Sequence, residues 1–168
     1  VWVSHRVVKI PYIVGFLVLV MAAGVSETLA GTLIAKESQW RYWPGDDAPS
    51  EAAVAWAQPA FSDSRWGVGS SPFRYGDGAG GTLITGMQNS YSTFFLRRAF
   101  TVSSVSLVEG LELNMDYDDG FVVWLNGFEV IRANAPASLA LNGFAPANHE
   151  SGTFETFSLD QAVSRLVD

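Results

Sequence analysis

The stretch DYDDGFVVWLNGFEVIR, residues 116–132, determines the fold class predicted for this chain. Asn126 and Gly127 stand between two apolar runs, and both residue types tolerate the positive φ angles of a two-residue type I′ hairpin turn. Apolar side chains occupy most positions on both faces of the two arms, so we expect two central strands of a buried sheet. Another alternating run, residues 111–115, precedes the acidic turn at 116–120. The pattern therefore predicts three consecutive antiparallel strands.

The composition of the 168 residues is typical of an all-β domain with many short strands. Aromatic residues make up 13%, and 16 glycines and seven prolines are scattered singly as turn signals. Seventeen acidic residues outnumber ten basic ones, and no basic cluster is longer than Arg97-Arg98, so the sequence predicts no nucleic-acid partner. The absence of cysteine excludes disulfides, thiolate metal sites and a cysteine nucleophile.

The first thirty residues have the composition of a secretory signal peptide. Basic residues lead, residues 10–25 carry no charge, and small residues precede a cleavage site that we expect after Ala30. We expect a signal helix in residues 1–30, contact with a membrane only during export, and a secreted or periplasmic protein. An uncleaved membrane anchor through residues 10–26 is the alternative, although an apolar run of roughly 16 residues is shorter than the roughly 20 needed to span a bilayer.

Further strand patterns flank the central hairpin. Alternating or apolar runs predict strands at residues 32–43, 82–85, 92–102 and 152–159. Asp160 then has the position of an N-cap for a short helix that runs to Val167. Residues 67–81 form a loop rich in glycine and serine, and loops of this length are usually functional or held by their own aromatic side chains.

Four phrases, taken in order, resemble a family of bacterial secreted domains with a galactose-binding-like jelly-roll fold. They are QWRY at 39–42, FSDSRW at 61–66 followed by PFRYGDG at 72–78, YSTFFLRRAF at 91–100, and DDG at 118–120 followed by LNGFEV at 125–130. The resemblance covers nearly all of residues 36–168. Similar sandwiches also serve as the sugar-binding domains of some β-galactosidase-type glycoside hydrolases.

The resemblance implies an all-β, antiparallel jelly-roll β-sandwich over residues 31–168 that acts as a non-catalytic accessory or binding module. In such domains one or two further strands follow the terminal helix, so the resemblance also implies that the last strand or strands are missing. A downstream domain of the same polypeptide is then an expected partner. A structural spacer without ligand is one alternative. An N-terminal fragment of a secreted hydrolase, either a glycoside hydrolase or a metallophosphoesterase, is another.

The acidic turn is the first candidate site. Asp116, Asp118 and Asp119 place three carboxylates within four residues, and domains of the family that it resembles often hold a structural calcium, which takes oxygen ligands. The spacing does not fit an EF-hand, because Gly127 would occupy the twelfth position of the loop. The alternative, which we favour, is that these side chains bind backbone N–H groups in a tight turn. No other cofactor is expected.

Loop residues around two tyrosines form the second candidate site. Aromatic rings bind the C–H faces of sugars, while Asp, Asn and Arg side chains bond to the hydroxyl groups. The residues that would line such a site for a glycan are Arg74, Tyr75, Asp77, Asn89 and Tyr91. The alternative, which we favour, is that the two tyrosines cover an end of the sandwich and that Asp77 makes a turn. The tryptophans at positions 40, 43, 56, 66 and 124 pose the same choice between packing and binding, and packing is the simpler interpretation.

Catalytic groups are few in this sequence. His5 lies in the leader, which leaves His149 beside Glu150 as the histidine of the exported part. A single histidine cannot build a site with two histidine ligands, and no serine has the surroundings of a nucleophile elbow. The adjacent acids fall in predicted turns, where nothing suggests an enclosed cleft. The sequence therefore predicts a protein that is not an enzyme.

Overall fold

The computed structural model describes residues 2–4, 15–21, 28–76, 78–102 and 104–167, with the backbone alone for those up to residue 30. These residues form twelve strands and three short 3-10 helices. The strands are β1 (Trp2–Ser4), β2 (Gly15–Met21), β3 (Thr28–Thr32), β4 (Gln39–Pro44), β5 (Gly67–Ser70), β6 (Phe73–Arg74), β7 (Thr82–Leu83), β8 (Phe94–Arg97), β9 (Val108–Met115), β10 (Gly120–Leu125), β11 (Phe128–Ala133) and β12 (Glu155–Ser158). The helices are Ala55–Ala57, Val105–Leu107 and Asp160–Arg165.

The strands form two main sheets. Sheet A has the order β11-β10-β1-β8-β4-β5, and sheet B has the order β12-β9-β2-β3. All strand pairs within these two sheets are antiparallel, whereas β6 and β7 form a separate parallel pair. The described residues therefore confirm the prediction of a β-rich fold.

The hairpin predicted at Asn126 and Gly127 is present. Their φ angles are 51° and 86°, and the flanking residues Leu125 and Phe128 pair directly, as in a two-residue type I′ turn. β10 is buried along almost its whole length, whereas β11 forms an edge of sheet A and is partly exposed. The prediction of two central strands is therefore correct for β10 and wrong for β11.

The strand before the hairpin belongs to the other sheet. β9 pairs with β12 and β2, so the prediction of three consecutive antiparallel strands is wrong. Residues 116–119 carry the chain from sheet B to sheet A, and Tyr117 in this connection packs edge-on against Phe121 with ring centroids 4.7 Å apart. A change of layer buries this large ring, which a tight turn at the surface would leave in water.

The inner faces of the two sheets enclose one hydrophobic core, named the shared core below. Sheet A contributes Trp40, Phe94, Leu96, Phe121, Val123 and Leu125, and sheet B contributes Val108, Leu111, Leu113 and Met115. Full burial of one such aliphatic or aromatic side chain contributes roughly 1.5 to 3 kcal/mol. The shared core therefore holds the two sheets face to face.

The signal helix predicted in residues 1–30 is not present in the described part of that segment. These residues form β1, β2 and most of β3 instead. β2 has the sequence GFLVLVM and lies between β9 and β3. An uncharged run of valine, leucine and phenylalanine suits a central strand, and a helix here would leave one edge of β9 without a partner. Cleavage after Ala30 remains a prediction.

The other predicted strands are present but shorter. β4, β7, β8 and β12 overlap the runs at 32–43, 82–85, 92–102 and 152–159. The N-cap of the C-terminal helix is Leu159, so the N-cap assignment of Asp160 is wrong. The Asp160 carboxylate instead accepts hydrogen bonds from Leu111 N at 3.2 Å and from Ser158 Oγ at 2.8 Å. These bonds fix the helix to β9 and β12.

Candidate functional site

Three of the residues predicted for a sugar site are used for packing and for bracing a loop. Tyr75 and Tyr91 are each 8% exposed and belong to the shared core. The Arg74 guanidinium donates hydrogen bonds to the backbone carbonyls of Gly76 at 3.2 Å and Gly80 at 2.9 Å. This arrangement fits the alternative interpretation, in which the tyrosine rings pack against the protein itself.

The other two residues predicted for the sugar site, Asn89 and Asp77, give no further evidence for it. Asn89 is exposed and has a φ of 58° in the turn before Tyr91. Asp77 lies outside the described residues. A sugar site at these five positions therefore remains a prediction.

Burial gives Tyr91 a pH-dependent effect on stability. Desolvation, with a smaller contribution from the charge of Asp46, raises the pKa of Tyr91 from 10.0 to about 12. Because the unfolded chain ionises this group at a lower pH, its stabilising contribution is complete below pH 10 and is lost as the pH rises toward 12. A difference of this size corresponds to roughly 2 to 3 kcal/mol.

Tyr91→Phe is expected to remove most of this pH dependence while keeping the fold. Below pH 10 its cost should be roughly 1 kcal/mol, because the hydroxyl donates one hydrogen bond to Thr85 O at 3.3 Å. Denaturant unfolding of both proteins at a series of pH values up to 12 measures the effect. An equal decline in both proteins would show that this ring is not responsible.

The acidic turn is buried, and its carboxylates brace a loop. Asp116, Asp118 and Asp119 are between 2% and 5% exposed. Asp116 Oδ1 accepts a hydrogen bond from Gly152 N at 2.8 Å, and Asp119 Oδ1 accepts one from His149 N at 3.0 Å. The described residues contain no group of three or more His, Cys, Asp or Glu side chains that is placed to hold a metal ion. The geometry fits the backbone-binding alternative, and calcium remains a prediction that it does not support.

His149 ties the same loop to β12. Its ring stacks on Tyr117 with centroids 3.9 Å apart and planes 6° apart. Nδ1 lies 3.0 Å from Tyr117 O, and Nε2 lies 2.7 Å from Glu155 Oε1. Burial and then the Glu155 carboxylate raise the pKa of Tyr117. Both ring nitrogens lie within hydrogen-bonding distance of oxygen atoms, so the histidine acts as a structural link between the loop and β12.

A cleft of about 420 Å³ opens between the ends of β8 and β10. One wall is the end of β8 with the segment that follows it, and the other is the end of β10 up to Asn126. Residues 56, 57, 59, 166 and 167 contribute further surface. The side chains at this site include Trp40, Trp56, Trp124, Asp63, Arg97 and Arg98.

An aromatic cluster lies on the face of sheet A that points away from the shared core, and it is named the outer aromatic cluster below. Trp56, Trp66 and Phe95 form its buried centre, and partly exposed side chains such as Trp124 pack around them. Trp56 meets Phe95 edge-on at 5.2 Å and Trp124 at 5.1 Å between centroids. Such edge-to-face pairs contribute roughly 0.5 to 1.5 kcal/mol beyond burial. Trp56 and Trp124 of this closely packed cluster line one side of the cleft.

Arg97 fastens the segment that carries Trp56 onto sheet A. Its Nε donates a hydrogen bond to Asp63 Oδ2 at 3.1 Å, and its terminal nitrogens donate to the backbone carbonyls of Trp56, Gln58 and Phe61. The Arg97 side chain is only 17% exposed. Charge-assisted bonds of this kind are stronger than neutral ones. The position of Trp56 in the cleft therefore depends on Arg97.

Trp40 brings a hydrogen-bond donor without a partner to the lining of the cleft. The residue is 4% exposed, and its indole Nε1 has no acceptor among the described residues. Buried polar groups are nearly always bonded, and one left unbonded costs roughly 1 to 3 kcal/mol.

The sequence alone did not identify this cleft. It marked the tryptophans only as residues that either pack or bind. The two walls, residues 96–98 and 123–125, are far apart in sequence, and only the order of strands in sheet A brings them together. One signal was present, because Arg97 is a charged residue inside an apolar strand, and such residues are seldom buried without a partner.

The fold and the cleft define the class of this protein as a β-rich domain with a tryptophan-lined site at a sheet. Comparison of the chain with protein-family models, with curated proteins and with solved structures finds no match. None of the helices in the described residues is long and apolar enough to cross a membrane.

Proposed function

We propose that this chain is a non-catalytic accessory domain of an exported protein and that it binds a ligand in the cleft between β8 and β10. The cleft is the observation that carries the proposal. It combines apolar side chains and three tryptophans with Asp63, Arg97 and Arg98. Ligand sites typically have this mixture of a mainly apolar lining and a few polar groups.

The fold that we propose is the galactose-binding-like jelly roll. Its support is a pair of antiparallel sheets around the shared core, together with the four phrases that resemble that family. The basic start and uncharged run of residues 1–25 are the support for export. Residues 1–30 supply β1, β2 and most of β3, so the exported form that we propose retains them. Both features are typical of accessory domains of secreted proteins.

The bonding of the acidic side chains supports a non-catalytic role. Asp63 binds Arg97, Asp116 and Asp119 bind backbone N–H groups, and His149 links Glu155 to the loop. A general acid or base needs a proton-transfer partner in a substrate cleft. These groups are engaged in holding segments of the protein together instead.

A glycan is the ligand expected from the sequence, and Trp124 favours it at this site. The indole of Trp124 lines the cleft and is partly exposed, and aromatic faces bind sugar rings. Arg98 is exposed at the same cleft and carries several N–H donors for hydroxyl groups. A glycan is therefore included among the probes below.

Trp124→Ala tests whether the cleft is the binding site. The probes are immobilised xylan, galactan and chitin. We expect the full chain to bind at least one probe with a change in tryptophan fluorescence. Loss of an aromatic contact at the centre of a site costs more than about 1.4 kcal/mol, so Trp124→Ala should weaken binding about tenfold or more.

Trp43→Ala is the matched control. Trp43 packs against the outer aromatic cluster but is not among the residues that line the cleft, so its loss should change affinity by less than about twofold. Unfolding curves of both variants establish that they are folded at the temperature of the assay. Undiminished binding by Trp124→Ala would mean that the site lies elsewhere. If no probe binds, the proposal is wrong and the domain is a structural spacer.

A further inference from the structure

The dipeptide Asn-Gly occurs twice in the chain, at residues 126–127 and at residues 142–143. In this dipeptide the backbone nitrogen of the glycine can attack the side-chain amide of the asparagine, because glycine has no Cβ to hinder the approach. The attack requires the asparagine side chain to rotate toward the next residue and the main chain to bend with it. The structure around each dipeptide therefore determines which of the two reacts.

The first dipeptide is the rigid turn of the hairpin between β10 and β11. Asn126 and Gly127 have φ angles of 51° and 86°, and strand pairing reaches the turn from both sides. The side-chain amide of Asn126 donates a hydrogen bond to Arg165 O at 2.7 Å. The space beside Gly127 is filled, because a Cβ atom added there would clash with the side-chain amide of Gln58. The hairpin thus directs the Asn126 amide toward the C-terminal helix and restrains it there.

The second dipeptide lies in the long loop between β11 and β12. Asn142 is exposed, and its side chain forms no hydrogen bond with any of the described residues. The Gly143 N–H donates to Ala140 O at 3.0 Å, which closes a single turn outside any strand or helix. Isolated turns open far more readily than paired strands do. The Asn142 amide can therefore rotate toward Gly143 whenever this turn opens.

Two buried hydroxyl groups hold the main chain on either side of Asn142. Ser92 Oγ donates a hydrogen bond to Gly143 O at 2.9 Å, and Thr93 Oγ1 donates one to Leu141 O. Ser92 is 6% exposed and Thr93 is 0% exposed. These bonds attach the loop to the segment that leads into β8. They also fix the separation of the two carbonyls between which Asn142 lies.

We propose that Asn142 is a site of spontaneous deamidation and that the hairpin protects Asn126 in the same dipeptide. The Gly143 nitrogen gives its proton to solvent and forms a bond to the amide carbon of Asn142. The carbon–nitrogen bond of the side-chain amide breaks, and the nitrogen leaves as ammonia with a proton from water. Water then adds to one of the two carbonyls of the five-membered imide and opens the ring. The products are aspartate and isoaspartate, and water is the only co-reactant.

Isoaspartate at this position loosens the loop. In isoaspartate the main chain runs through the side-chain carbon, so the chain becomes one atom longer between the carbonyls of Leu141 and Gly143. The hydroxyls of Ser92 and Thr93 then cannot both keep their bonds, because their own positions are fixed by burial. This modification of the loop is independent of ligand binding in the cleft.

The test follows amide loss in the full chain of 168 residues during incubation in mildly alkaline buffer. Peptide mass spectrometry measures the fraction of acid at each asparagine. In the folded chain we expect Asn142 to react at least about tenfold faster than Asn126, because the hairpin must open before Asn126 can react. In guanidinium chloride the two rates should converge, since only the folded structure distinguishes the two dipeptides.

Asn142→Gln is the control for the site of reaction. Glutamine keeps the amide but would have to form a larger ring, so the acid should not form at this position over the same period. Equal rates at Asn126 and Asn142 in the folded chain would overturn the inference. So would an intact Asn142 in the folded chain after a period in which the unfolded chain has reacted.

Thermal unfolding tests the effect on the loop. The isoaspartate form, separated by ion-exchange chromatography, should have a lower Tm than the unmodified chain. Asn142→Asp adds the same charge without lengthening the main chain, so it should keep the Tm of the unmodified chain. Equal Tm values for the isoaspartate form and Asn142→Asp would show that the bonds from Ser92 and Thr93 do not depend on the chain length at this position.

Discussion

Phe121→Ala is expected to lower the free energy of unfolding by about 3 to 5 kcal/mol, a large share of the stability of a domain of this size. Phe121 is 0% exposed and meets Tyr117 at 4.7 Å and Phe157 at 5.4 Å between ring centroids. Truncation removes these contacts and leaves a cavity between the two sheets. Equilibrium unfolding in denaturant, followed by circular dichroism, measures the loss.

Phe128→Ala is the matched control on the same hairpin. Its side chain is 49% exposed, and its ring lies 3.9 Å from the Arg165 guanidinium carbon. The expected cost is below about 1 kcal/mol, since an exposed cation–π contact and a small buried area are lost. Equal costs for the two substitutions would show that the face of the hairpin assigned to the shared core is incorrect.

Removal of residues 1–30 is expected to abolish the cooperative unfolding transition of residues 31–168. The deletion removes β1, β2 and most of β3, and β9 then loses its partner at six paired positions. Loss of a central strand exceeds the total stability of roughly 5 to 15 kcal/mol that is typical of a folded domain. Circular dichroism during thermal unfolding, with size-exclusion chromatography of both proteins, measures the outcome.

Val18→Pro in the full chain provides a companion to that deletion. Val18 pairs with Leu111 of β9 on one side and with Gly31 of β3 on the other, so a residue without an N–H breaks the ladder inside the sheet. We expect a clear fall in Tm without any change in chain length. If residues 31–168 unfold at the same Tm as the full chain, the leader is not part of the fold and the prediction of cleavage after Ala30 gains support.

The hairpin was predictable because its signals are local. Asn126 and Gly127 adopt the positive φ angles that their residue types favour, and the turn sets the pairing of Leu125 with Phe128 and of Trp124 with Glu129. The pairing shifts by one residue between Trp124 and Val123, and the turn did not predict this irregularity. The short helix after β12 was also predictable in outline, from the change of pattern at Asp160. Features that are determined by residues adjacent in the sequence could therefore be predicted.

The assignment of strands to sheets was not predictable in the same way. Residues 111–115 alternate as a strand should, but alternation does not tell which strand lies beside them. Tyr117 and the buried acids of the connection direct the chain to the other layer, and this depends on tertiary packing. The apolar run at residues 15–21 fits a signal helix or a central strand equally well, and the unpaired edge of β9 favours the strand.

The cleft could not be predicted from the sequence for the same reason. It is formed by the ends of two strands that are neighbours in space only because β1 lies between them. The predicted sugar residues were chosen because they share a loop, yet Tyr75 and Tyr91 point into the shared core. Residue types that suit a ligand do not show whether their side chains are accessible.

Amide hydrogen exchange of the full chain, with and without soluble oligosaccharides of xylan, galactan and chitin, tests the proposed binding site in the cleft most directly. We expect the oligosaccharide that binds to slow exchange at residues 96–98 and 123–125, which line the cleft. β12 is also a sheet edge and serves as the internal reference, and its exchange rates should not change. Unchanged exchange at both walls of the cleft, or equal slowing along β12, would contradict the assignment of the cleft as the binding site.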